Sequence, residues 1–152
     1  MVIADQPADR TLVLTRRFDA PRDVVFSAWT EPERAARWWG PKGFAARSCR
    51  MDVRIGGAWC LEMRSPEGTL RTKRGVYREI VPPEWLVFTY AWDDDQGAPG
   101  HETLVTIHLE SEGSGTRLTL HQTTFETTAE RDSHRGGWSS CFERFSDYLA
   151  AT

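Results

Sequence analysis

The chain predicts an α+β fold: a curved seven-stranded antiparallel sheet wrapped around a long C-terminal helix, with two short helices after the first strand. Two observations carry this. Residues 44–125 read in period two, in segments broken by turn residues, whereas residues 128–152 read in helical period. The links between the period-two segments are short and hairpin-like, which favours an antiparallel meander. Such a sheet has one apolar face to bury, and the helix has one apolar stripe to offer it.

The elements follow in order. Residues 11–19 alternate and close on Phe18, predicting a strand that Ala20-Pro21 stops. Val24, Val25, Ala28 and Trp29 then share one face of a short helix begun at Pro21. Thr30-Glu31-Pro32-Glu33 restarts a second helix, with Thr30 as the expected cap and Pro32 in the first turn; it runs through Trp38 and Trp39 to Gly40-Pro41. Strands are expected over 44–53, 59–64, 70–80, 85–92, 103–109 and 116–124, separated by Gly56-Gly57, Pro66-Glu67-Gly68, Pro82-Pro83, the acidic run 93–95 and Gly113-Ser114-Gly115. In the last helix Trp138, Phe142, Phe145 and Leu149 form one stripe with Cys141 and Tyr148 beside it, and Thr127 or Thr128 with Glu130 supplies the start. Residues 1–10 are expected to be a flexible segment, and 11–150 a single domain.

Composition bounds the function. The chain has 152 residues and a net charge of −3, which argues against a nucleic-acid binder that works through a basic face. Cys49, Cys60 and Cys141 are an odd number without metal-site or disulfide-framework spacing, and read as reduced, buried thiols of a cytoplasmic protein. Residues 1–10 lack the basic start and apolar run expected of a secretory leader, and no apolar run reaches membrane length. Hydrolase elbow, phosphate-loop, dinucleotide and zinc-protease motifs are missing, so no catalytic residue, cofactor or metal ligand is assigned. Arg47, Arg50, Arg54, Arg64, Arg71, Lys73 and Arg74 read together as a basic, solvated sheet face.

The run Phe18-Asp19-Ala20-Pro21-Arg22-Asp23-Val24-Val25-Phe26-Ser27-Ala28-Trp29-Thr30 resembles the opening of the START-like superfamily. So do Trp38-Trp39-Gly40-Pro41, Gly56-Gly57-Ala58-Trp59, Gly75-Val76-Tyr77, the stretch from Pro82 to Tyr90, and Gly137-Trp138. Within that superfamily the chain is similar to the bacterial branch related to the C-terminal domain of the Hsp90 ATPase activator. The resemblance implies the helix-grip fold, with a cavity between sheet and C-terminal helix. It also implies a choice of functions: binding of lipids, polyketides or other hydrophobic molecules, a cyclase- or dehydratase-type reaction in the same cavity, or contact with a chaperone. The eukaryotic activators make much of that contact through a separate N-terminal domain. This chain begins at the START-like domain, so chaperone contact is the weaker expectation. A homodimer is compatible with the size, but no interface pattern marks one.

Alternation assigns faces. Trp59, Leu61 and Met63 share one; Phe88, Tyr90 and Trp92 share another, with Leu86; Leu118, Leu120 and Gln122 share a third. Met51 joins them from the segment 44–53, Trp38 and Trp39 from the short helices, and His134, Trp138 and Phe142 from the last helix. These thirteen candidates, Leu86, Leu118 and Leu120 aside, line either an aromatic pocket for a flat or long apolar ligand or a filled core. Tyr90, Gln122 and His134 are its polar groups; His134 or Tyr90 doubles as the candidate acid–base of an enzymatic reading.

Overall fold

The computed structural model describes residues 8–94 and 96–151. Its elements are β1 (Leu12–Phe18), α1 (Arg22–Thr30), α2 (Pro32–Trp38), β2 (Ala45–Met51), β3 (Ala58–Arg64), β4 (Leu70–Val81), β5 (Trp85–Trp92), β6 (Thr103–Glu112), β7 (Gly115–Thr123) and α3 (Thr128–Ala150). All seven strands form one sheet in the order β1-β7-β6-β5-β4-β3-β2, every pair antiparallel. The chain meanders from β2 to β7, and β1 then pairs on the outside of β7. Helix α3 lays Trp138, Cys141, Phe142, Phe145 and Leu149 against the sheet, the stripe expected from its period. The architecture is the helix-grip arrangement.

Two local readings change. Thr30 does not cap the second helix: it closes α1, where its hydroxyl donates to the Phe26 carbonyl at 3.0 Å. Glu31 takes the cap position, extended at φ −108° and ψ 119°, because the ring of Pro32 excludes helical geometry from the residue before it. The β6–β7 hairpin is longer than expected. Pairing continues to Glu112 opposite Gly115, since Gly113 accepts φ +62° and lets the chain reverse at once. At the other end of β7, Thr127 caps α3 and accepts from the Glu130 amide at 3.1 Å.

Of the segment expected to be flexible, residues 1–7 lie outside the described residues, and Ala8–Arg10 form a single 3-10 turn. Arg10 fastens that turn by donating to the Glu126 carbonyl at 2.6 Å. All three cysteines are free thiols; Cys141 is buried and the other two are half-buried. Among the described residues no helix is long and apolar enough to cross a membrane.

Candidate functional site

The space between α3 and the sheet is filled by aromatic rings. Trp29 from α1 touches Trp38, Trp39, Phe88, Trp138, Phe142 and Phe145, with centroids 4.7–6.4 Å apart. Trp39 stacks on Trp59 at 5.0 Å and Trp38 on Phe145 at 3.9 Å. Each ring is held by a backbone contact or a neighbour. The Trp38 indole donates to the Ala28 carbonyl at 3.0 Å and that of Trp59 to the Thr89 carbonyl at 3.1 Å. The second bond passes over Gly75, where a Cβ would lie 1.7 Å from the Thr89 oxygen, so β4 must carry glycine there. The large cavity expected between sheet and helix is therefore not open here. What remains is about 40 Å³, lined by Gly40, Pro41, Lys73, Tyr90, Trp92, Gly137, Trp138 and Cys141. That volume suits a few water-sized groups.

The sequence-predicted residues divide around this space. Tyr90, Trp92 and Trp138 line it, and Trp39 lies beside it. Trp59, Leu61, Met63 and Phe88 are buried in the adjoining core, Met51 packs half-buried at its edge, and Trp38 and Phe142 sit deeper under α1. Gln122 has both ends occupied: it donates to the Thr103 hydroxyl and accepts from the Trp138 indole, each at 2.8 Å. Thr103 in turn donates to the Tyr90 carbonyl at 3.1 Å. This buried relay ties α3 to three strands and sets the plane of the Trp138 ring. His134 is similarly engaged. Its Nε2 accepts from the Trp92 indole at 3.2 Å, which leaves Nδ1 to donate to the Glu130 carbonyl at 2.8 Å. Burial holds its pKa below the ordinary histidine range. A neutral imidazole with both nitrogens bonded is a positioning group for Trp92 and has no free nitrogen for proton transfer.

One residue was misplaced by the sequence reading. Lys73 belongs to no solvated basic face: it is 3 % exposed. Its parity was available, since Lys73 alternates with Gly75 and Tyr77 along β4 and pairs directly with Leu61 of β3, an inward residue. The Nζ stands 4.8 Å from the Trp39 centroid, 5.1 Å from Tyr90, 5.3 Å from Trp92 and 5.4 Å from Trp138. Four ring faces thus surround one amine. Among the described residues no carboxylate pairs with it. Desolvation pulls its pKa down from the ordinary lysine range to about 7. Burial acts in the opposite direction on the neighbouring thiols, pushing Cys49 and Cys141 up to about 11. Both stay protonated near neutrality.

The rim on one side is the turn after α2. Gly40 adopts φ +114°, and a Cβ there would come within 2.5 Å of the Met63 sulfur. Three side chains of α3 fasten this turn. Cys141 Sγ accepts from the Gly40 amide at 3.4 Å, Arg144 donates to the carbonyls of Gly40 and Pro41 at 2.9 and 3.1 Å, and Ser140 accepts from the Lys42 amide at 2.8 Å. Gly137 of α3 forms the rim beside the turn.

The outer sheet face offers a different arrangement. His108 stacks on Trp85 at 4.0 Å, and no group of three or more His, Cys, Asp or Glu side chains converges anywhere among the described residues.

Known proteins place this geometry. The profile of the family described as Activator of Hsp90 ATPase homolog 1-like protein matches residues 19–150. Among solved structures, the AHSA1 protein of Silicibacter pomeroyi superposes with a TM-score of 0.84 at 26 % identity, over 93 % of this chain and 98 % of that one. A protein of Nitrosomonas europaea gives 0.81 at 27 % identity, covering 95 % and 97 %. A protein of Chromobacterium violaceum gives 0.80 at 27 %, covering 91 % and 95 %. No curated protein matches the chain. By the extent of the profile match and the agreement of the fold, the chain belongs to the family of Activator of Hsp90 ATPase homolog 1-like proteins.

Proposed function

We propose that this protein binds a hydrophobic or aromatic small molecule between the sheet and α3, with the polar end of that molecule at Lys73. The observation that supports this is the buried amine without an acidic partner, set among four aromatic rings at the wall of a small void. A buried lysine of this kind is costly to stability and contributes nothing to packing that a methionine would not. Aromatic walls with one convergent polar group are the usual make-up of a small-molecule site. The void of about 40 Å³ has room for the polar end of such a molecule only. Small-molecule pockets usually measure roughly 300 Å³ or more, so on this reading uptake of the whole molecule requires the Gly40-Pro41 turn or the first turns of α3 to draw back.

Native mass spectrometry of the protein after incubation with a lipid and metabolite extract tests this. A discrete added mass is expected on the wild type and is expected to be lost from Lys73→Met. A protein that stays folded and acquires no added mass would overturn the reading, as would an adduct that Lys73→Met retains unchanged.

A further inference from the structure

We infer that Lys73 Nζ is a carbonyl-capturing nucleophile, and that the site takes a small apolar aldehyde and holds it as an imine. This rests on the small-molecule reading above and specifies the reactive end of the ligand.

The geometry carries it. Lys73 lines the void rather than being sealed in solid packing, together with Gly40, Pro41 and Gly137 of the rim. The titratable groups around it are Cys49 of β2, Tyr90 of β5, and His134 and Cys141 of α3. None is a carboxylate, so the amine has no anionic partner, and only the four ring faces favour its charged form against desolvation. Arg71, exposed on β4, stacks its guanidinium over the same Trp92 ring at 4.8 Å. The two thiols are held protonated, which leaves the amine as the strongest nucleophile in the void. At pH 7 an ordinary lysine is free amine only about once in a thousand or more. One titrating near 7 is free about half the time.

The step balances without any co-reactant. The nitrogen lone pair attacks the carbonyl carbon, and a proton passes from nitrogen to oxygen to give a carbinolamine. The carbon–oxygen bond then breaks, water leaves, and the carbon–nitrogen double bond forms. Amine and aldehyde become imine and water, with no change in oxidation state. The protonated imine keeps a cation where the four rings already surround one.

The chain has only two lysines, Lys42 and Lys73, so each serves as the other's control. Lys42 is exposed and lies 3.4 Å from a Glu143 oxygen. The full-length protein is treated with propanal and cyanoborohydride at pH 7, and propylated peptides are counted over time. Lys73 is expected to be labelled at least tenfold faster than Lys42, and its rate to level off above about pH 7 while that of Lys42 keeps rising. Lys73→Met is expected to remove that peptide's label and leave the rate at Lys42 unchanged. Labelling of Lys42 as fast as Lys73 would overturn the inference. Native spectra of the same preparation with the cell extract separate the two readings. Lys73 unlabelled with an extract mass retained overturns the imine and leaves binding standing; loss of both overturns both.

Discussion

A lysine inside a ring cluster changes how stability depends on pH. In the unfolded chain Lys73 holds its proton to about pH 10.4, whereas in the fold it yields it near 7. Between those values the unfolded state binds more protons, so this residue makes stability rise with pH. Below 7 the full penalty of the buried charge is present. Lys73→Met removes the penalty and should stabilise the protein most at pH 6. The gap to wild type should narrow by about 1.4 kcal/mol per pH unit above 7. Urea melts of both proteins at pH 6, 8 and 9.5 measure it, and a constant gap would show that the amine does not titrate there. Lys73 was legible only through strand parity. Grouping it with six arginines by charge hid a residue whose inward neighbours, Leu61 and Tyr77, already placed it. The fates of Gln122 and His134 were not legible at all. Their partners Thr103, Trp138 and Trp92 lie 16 to 42 positions away, and only the folded register brings them within bonding distance.

Among the elements, α3 carries a contradiction within itself. It is 23 residues long and grips the sheet, yet Gly136 and Gly137 fall in its interior, Gly137 at the void. A Cβ at either position meets no neighbour within 4 Å, so packing does not demand glycine. Each weakens the helix by about 1 kcal/mol relative to alanine, and together they make its first turns the part most easily drawn away from the sheet. Gly136→Ala should therefore raise stability by about 1 kcal/mol in chemical denaturation and slow exchange of the amides around it. An unchanged midpoint would mean that the glycine does not weaken the helix at this point. Helix and strand identities were readable because the apolar period changes cleanly at residue 44 and again near 128. Ends were less so. The α1–α2 junction turns on how Pro32 restricts Glu31, a constraint that outweighed the better capping chemistry of Thr30.

For the whole molecule, the thirteen residues expected to line a pocket mostly build a core. Aromatic content alone does not distinguish the two, because a ring that lines a void and a ring that fills it obey the same alternation. Trp138 is where core and site meet. It touches Trp29, Trp39, Tyr90 and Phe142, faces Lys73, and bonds Gln122. Trp138→Ala should destabilise the protein by about 3–5 kcal/mol and open a cavity the size of an indole ring. Added indole should then recover part of the lost melting temperature, and a loss under about 1 kcal/mol would mean that α3 is not the clamp described here. The ring assembly has a further consequence. Trp29, Trp38, Trp39, Trp59 and Trp138 lie face to face or edge to face within about 6 Å of one another in an unbroken chain. Chromophores so close share their excitations, so the protein's near-ultraviolet dichroism belongs to the group rather than to any one indole. Any molecule that parts these rings will rewrite that spectrum, giving the native chain its own unlabelled optical gauge of whether the grip is shut or open.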